Sequence, residues 1–148
     1  MEPGPRYLRL VLYMRAMSAN ALYGHSSKYE KTYKNEQVRQ YQRLVQSALQ
    51  TVNVDSIKWE KSEPVQIAAR FWFCDRKDPD LDNCLKPFID AVQSSGVIHN
   101  DKQVLRIEAE KFPACGRDAI EFILSDFVPC YVLPPPSVSA PGPRPSAP

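Results

Sequence analysis

Apolar and polar residues alternate over residues 7–14 (YLRLVLYM), with Leu8, Leu10, Leu12 and Met14 on one face and Tyr7, Arg9, Val11 and Tyr13 on the other. A period of two predicts a β-strand. The same period returns over 64–73 (PVQIAARFWF), where Val65, Ile67, Ala69, Phe71 and Phe73 share a side and Pro64 suits a strand's first position. It returns over 103–112, with Leu105, Ile107 and Ala109 inward, and over 118–125, with Ile120, Phe122 and Leu124 inward. Two segments carry the helical period instead. Residues 35–50 space Val38, Tyr41, Val45 and Leu49 along one face, with Leu44 and Ala48 beside them and Asn35 as N-cap. Residues 81–95 carry Leu81, Leu85, Phe88, Ile89 and Val92, and Gly96 would stop that helix. Pro87 lies inside the pattern and should bend the helix or delay its start. Residues 15–33 and 51–63 are polar connections, the first long enough to suggest a functional loop. The order β-α-β-α-β-β does not alternate strictly, so the fold class is α+β: a small mixed or antiparallel sheet with two main helices.

The pattern ends near Val128. Residues 134–148 hold seven of the fourteen prolines and no periodicity. The division expected is a domain over 1–127 and a Pro-rich, disordered tail over 128–148. At 148 residues there is room for one domain. No stretch nears the roughly 20 apolar residues of a membrane span, and the N-terminus lacks a signal-peptide pattern. A soluble cytoplasmic protein is therefore expected.

Charge adds a modest asymmetry. The net charge is +2, with ten basic and five acidic residues in 1–62 against nine and twelve in 63–148. A basic half beside an acidic half suits a metal-dependent nuclease, since phosphates call for cations and metals for carboxylates. The four cysteines, Cys74, Cys84, Cys115 and Cys130, form no CxxC, and His25 and His99 are the only histidines. This does not suit a structural zinc site, and a chain long enough to bury a core unaided needs no disulfide framework, so reduced, mostly buried thiols are expected.

The densest chemistry is the segment Asp78-Pro79-Asp80-Leu81-Asp82-Asn83, between a strand and a helix. Lys86 follows Asp82 by four residues, so its ammonium can reach back to the carboxylates or to a phosphate they hold. Asp101 arrives in the turn before the next strand. Three carboxylates from two loops suit one hard cation, and Mg²⁺ is the natural guest. An Asp before a helix also serves simply as a cap. An EF-hand is excluded, because Asn83 stands where glycine is required and Ile89 where the bidentate glutamate belongs.

The stretch from Asp80-Leu81-Asp82-Asn83 through Lys86-Pro87 to Asp90-Ala91 resembles the signature of the RusA-type Holliday junction resolvases. The run from Gly96 through Asp101 and Gln103 to Val104 resembles that family's turn, and Glu110-Lys111 matches a common strand ending. Ser18-Ala19-Asn20-Ala21-Leu22-Tyr23-Gly24-His25 is similar to its N-terminal S-x-N-x-x-Y-x-H stretch. The resemblance implies a small α+β homodimer that cuts four-way DNA junctions with Mg²⁺. It makes Asp80, Asp82 and Asp101 the metal-binding catalytic carboxylates and Lys86 the essential lysine, which would steady charge on the scissile phosphate or its leaving oxygen. Asn100 departs from the pattern, replacing the first acid of the family's Asp-Asp pair, though it could still offer a neutral oxygen.

Lys28, Lys31, Lys34, Arg39 and Arg43 are interleaved with Tyr29, Tyr33 and Tyr41. Cations with aromatics suit contact with phosphates and unpaired bases at a junction. The DNA-contacting set expected is Asn20, Tyr23, His25, Lys28, Lys31, Lys34, Arg76 and Lys77; the plain alternative is a solvated helix face with Tyr41 in the core. Two rival functions carry other outcomes: a junction-binding protein that has lost cleavage, to which Asn100 alone points, and a general branched-DNA nuclease.

Overall fold

The apolar alternation of residues 65–71 becomes a strand with Val65, Ile67, Ala69 and Phe71 buried, and the rest of the domain is arranged around it. The computed structural model describes residues 4–21, 23–26, 31–34, 36–52 and 57–129, with 21, 23–26 and 31–34 described by their backbone alone. In chain order the elements are β1 (Tyr7–Leu12), β2 (Tyr23–Ser26), β3 (Lys31–Lys34), α1 (Glu36–Thr51), β4 (Val65–Trp72), α2 (Leu81–Ser94), β5 (Val104–Phe112) and β6 (Ala119–Asp126). Two 3₁₀ turns, Ala19–Ala21 and Asp101–Gln103, flank them. The main sheet runs β1-β6-β4-β5. β4 and β5 are parallel and joined through α2, while β1–β6 and β4–β6 are antiparallel. The sheet is therefore mixed and the fold α+β, as the patterning predicts.

Both helices pack on one face of the sheet. Phe88 of α2 meets Phe71 and Phe122 edge-on, at centroid distances of 6.2 and 4.9 Å. Val38, Tyr41, Val45 and Leu49 of α1 and Ile120, Phe122 and Leu124 of β6 complete this core. No helix among the described residues is long and apolar enough to cross a membrane.

Several expectations need correction. Residues 15–33 are not a plain loop: β2 and β3 pair antiparallel with Tyr23 opposite Lys34 and His25 opposite Thr32. Leu44 is exposed, beyond the edge of the buried stripe of α1. Leu105 and Ile107 are 58% and 44% exposed rather than inward. The register shifts between Val65↔Val104 and Gln66↔Arg106, which leaves Leu105 as an extra residue in β5. Beyond it Ile107 pairs with Ile67 on the helix side, but β5 is an edge strand that the helices only partly cover. The polar connection 51–63 contains Trp59, fully buried, whose indole N–H donates to Asp126 Oδ1 at 2.7 Å. One aromatic without periodic neighbours gave no pattern to detect. α2 starts at Leu81 and continues through Pro87, so the proline neither delays nor ends it. Cys74 and Cys115 are exposed and Cys84 is buried, so the thiols are not mostly filler; Cys130 lies outside the described residues. Asn35 and the tail from 130 onward lie outside them as well.

Candidate active site

β4 delivers the chain to the acidic loop, and α2 starts from it. Asp80 is the N-cap residue, with extended φ −62° and ψ 148°, and its carbonyl accepts the first helical bond from Cys84 N–H at 3.2 Å. Its carboxylate makes no capping hydrogen bond, so the cap explanation for this side chain fails. Asp82 follows in the exposed first turn. Both acids sit at the positive end of the helix dipole, which favours negative charge.

The loop before them is held from two sides. Lys111 of β5 places Nζ 2.6 Å from Asp78 Oδ2 and donates to the Pro79 carbonyl at 2.9 Å. That bond holds the Asp78 carboxyl below the ordinary carboxylate range and raises the Lys111 ammonium in turn. Arg15 donates to the Lys77 carbonyl at 2.6 Å and pairs with Asp75 at 3.1 Å and Asp118 at 3.2 Å.

Between α2 and β5 runs an open groove of about 300 Å³. Asp82, Lys86, Asp90 and Asp101 bring charge to it, and Leu85, Ile89, Val104 and Ile107 give it an apolar wall. Asp101 is placed by its 3₁₀ turn. Asn100 caps that turn, its Oδ1 accepting from Lys102 N–H at 2.8 Å, and Gln103 Oε1 accepts from His99 and Asn100 N–H at 2.7 and 3.0 Å. The Asn100 oxygen suggested as a neutral ligand is therefore engaged in a cap.

Asp82, Lys86 and Asp101 thus line one groove; Asp80, at the helix start two residues before Asp82, is not part of its lining. Among the described residues, none of the Asp80, Asp82 and Asp101 carboxylates has a hydrogen-bond or ion-pair partner, and no three His, Cys, Asp or Glu side chains stand close enough to enclose one metal ion. Lys86 does not turn back to Asp82. It pairs forward with Asp90, at 3.6 Å.

Of the expected DNA contacts, Asn20 is exposed on the first 3₁₀ turn, which packs against α2. Tyr23, His25, Lys31 and Lys34 fall on the β2–β3 hairpin, with Tyr23 and Lys34 as cross-strand partners. Lys28 lies outside the described residues. Arg76 and Lys77 are exposed on the loop leading to Asp80, and neither side chain forms an ion pair among the described residues. Tyr41 is buried, as the plain alternative had it, and Arg39 and Arg43 pair with Glu36 at 3.5 and 3.8 Å. Sequence reasoning missed the anchoring roles of Arg15 and Lys111. Lys111 had a signal: it shares the phase of Leu105, Ile107 and Ala109, so a charge occurs where the alternation calls for an apolar side chain.

A search of curated proteins gave no match to this chain. The profile of endodeoxyribonuclease RusA matches residues 15–121, from before β2 into β6, including Asp80, Asp82, Lys86 and Asp101. With the greater part of its length matched, the chain belongs to the RusA family of endodeoxyribonucleases, which act on Holliday junctions.

Proposed function

We propose that this nuclease resolves Holliday junctions by paired, symmetric phosphodiester cuts supported by Mg²⁺, working as a homodimer. The observation that carries this reading is a set of three carboxylates left without protein partners, two of them on the groove that also holds Lys86. Among the described residues, none of these carboxylates is engaged by a protein donor, so each is available to a cation or its water shell.

The donors suit the ion in kind. Mg²⁺ takes hard oxygens and is usually held by one or two carboxylates plus waters and substrate phosphates. A closed cage of three side chains is thus not required. Asp80 and Asp82, two residues apart at the start of α2, would hold the metal, and Asp101 would reach its water or phosphate shell from the opposite wall. Bound there, the metal supplies an activated water and neutralises charge developing on the phosphate. Lys86 contributes a positive charge toward the leaving oxygen. Its exposed pair with Asp90 is of a kind worth at most about 1 kcal/mol, so the ammonium is easily released to a phosphate. The hairpin lysines, Tyr23, His25 and Asn20, with Arg76 and Lys77, would grip the junction arms. A four-way junction has near two-fold symmetry, which a C2 dimer with two sites matches. Asn100 keeps its turn capped and Asp101 remains in the groove, which supports the cleaving reading over the rival that rests on the missing acid.

The test is gel-resolved cleavage of a synthetic four-way junction beside linear and flap controls, in Mg²⁺ and in EDTA. Paired nicks on the junction, absent in EDTA, are expected, as is loss of cutting with retained binding in Asp82→Asn. Junction binding without cleavage would favour the non-catalytic reading. Equal cutting of flaps would favour the general nuclease.

A further inference from the structure

We infer that Lys111 is a positioning residue of the cleavage site, clamping from β5 the loop that presents Asp80. This rests on the assignment of Asp80 as a metal-binding carboxylate.

The register Phe71↔Lys111 places Lys111 on the helix-facing side of the sheet. The neighbouring side chains of β4 on that side are buried and apolar. A lysine there costs desolvation unless it is paired. It is paired twice, to the Asp78 carboxylate at 2.6 Å and the Pro79 carbonyl at 2.9 Å, with side-chain exposures of 26% for Lys111 and 13% for Asp78. Arg15 holds the preceding Lys77 carbonyl at 2.6 Å while its guanidinium lies 5.2 Å over the Phe73 ring. Residues 77, 78 and 79 are each fastened, and Pro79 adds its fixed φ. Asp80 is the first residue after them whose side chain is free.

The clamp has a second consequence. Asp78, Asp80 and Asp82 crowd one short segment and repel one another. Lys111 neutralises Asp78 and commits it to structure, so Asp80 and Asp82 face the substrate without a third acid competing for the ion. Lys111 thus acts on the chemistry through Asp80, and it is not itself a catalytic group.

The experiment uses the full chain with Lys111→Met, Lys111→Arg, Asp78→Asn and Asp80→Asn. Hydrogen exchange over residues 77–86, which include Lys77 N–H on Asp75 Oδ1 and Cys84 N–H on the Asp80 carbonyl, is followed in the metal-free, DNA-free protein, alongside a Mg²⁺ titration of junction cleavage. Losing a charge-assisted bond predicts about tenfold faster exchange and about a tenfold higher Mg²⁺ requirement in Lys111→Met. Junction binding in Ca²⁺ should stay within about twofold, and Lys111→Arg should restore both readouts to within about threefold. Wild-type exchange and Mg²⁺ dependence in a folded Lys111→Met protein would overturn the inference. If Lys111→Met loses its melting transition, Asp78→Asn takes its place: faster exchange with a raised Mg²⁺ requirement supports the clamp, and wild-type behaviour overturns it. Normal cleavage by Asp80→Asn would instead overturn the assignment of Asp80, whatever the exchange data show.

Discussion

Gln103 is 6% exposed and uses its whole amide group. Its oxygen accepts from His99 and Asn100 N–H, and its nitrogen donates to the Glu60 and Glu63 carbonyls at 2.7 and 3.0 Å. Gln103→Ala would strand several of these groups, and a loss of about 2–3 kcal/mol is expected in urea denaturation. Because Asp101 occupies the same turn, junction cleavage should fall further than stability alone explains. Lys86 makes the contrasting case. Its contact with Asp90 is exposed and weak. Lys86→Met should melt like the wild type yet cut about a hundredfold more slowly in single-turnover assays, as loss of one charge-stabilising group does. Both residues were legible in the sequence as members of a motif. The spacing could not show their partners, because Gln103 bonds to carbonyls some 40 positions away and Lys86 chooses Asp90 over Asp82 by side-chain conformation.

At the level of elements, α2 ends as its sequence suggests. Ser95 is the C-cap, and Gly96 follows with φ +84°, donating its N–H to the Gln93 carbonyl at 3.0 Å. A Cβ on Gly96 would meet nothing within 4 Å, so the penalty for Gly96→Ala is conformational only. A loss of about 1 kcal/mol is expected by thermal unfolding, and a much larger one would reveal a packing role. The helices and long strands were legible because each has one buried face and a clear period. β5 was legible as a strand and, for Ile107 and Ala109, in phase, but the shift after Val104 displaces Leu105 and nothing local marks it. The β2–β3 hairpin escaped notice because its strands are four residues each and lack apolar alternation.

Across the whole molecule, ion pairs join segments far apart in the chain. Arg6 binds Asp126 and Glu63, each at 2.9 Å, and lies 5.3 Å over the Trp59 ring. Burial alone would raise the Asp126 carboxyl, but hydrogen bonds from the Arg6 backbone N–H, the Trp59 indole and the Arg6 guanidinium bring it below its ordinary value. Arg6 likewise lowers Glu63, and Arg9 with Arg70 lowers Glu121. A carboxylate lowered on folding contributes stability above its unfolded value, near pH 4, and loses it as pH falls through the folded value. The melting temperature should therefore be flat near neutrality and fall steadily below about pH 4. Arg6→Met should remove much of that acid dependence; an unchanged profile would assign it to other groups. The fold class and the four residues of the candidate site were legible because pattern and motif are local. This tie between the start of β1, the segment before β4 and the end of β6 was not, since an isolated Arg, Glu, Trp and Asp carry no spacing that relates them.

The parallel pairing of β4 with β5 bears on when, during folding, the protein becomes dangerous to DNA. A parallel pair cannot form from a hairpin and must wait for its whole crossover, here α2 and the turn that follows. Asp80 and Asp82 lie at the start of that crossover and Asp101 at its end. Until β5 docks beside β4, the acids proposed to act together in cleavage are held apart. In refolding from denaturant, nicking of junction DNA should return only once β4 and β5 have paired, after the helical signal. A chain whose β5 has not yet docked is then expected to bind metal and junction poorly and to leave DNA uncut.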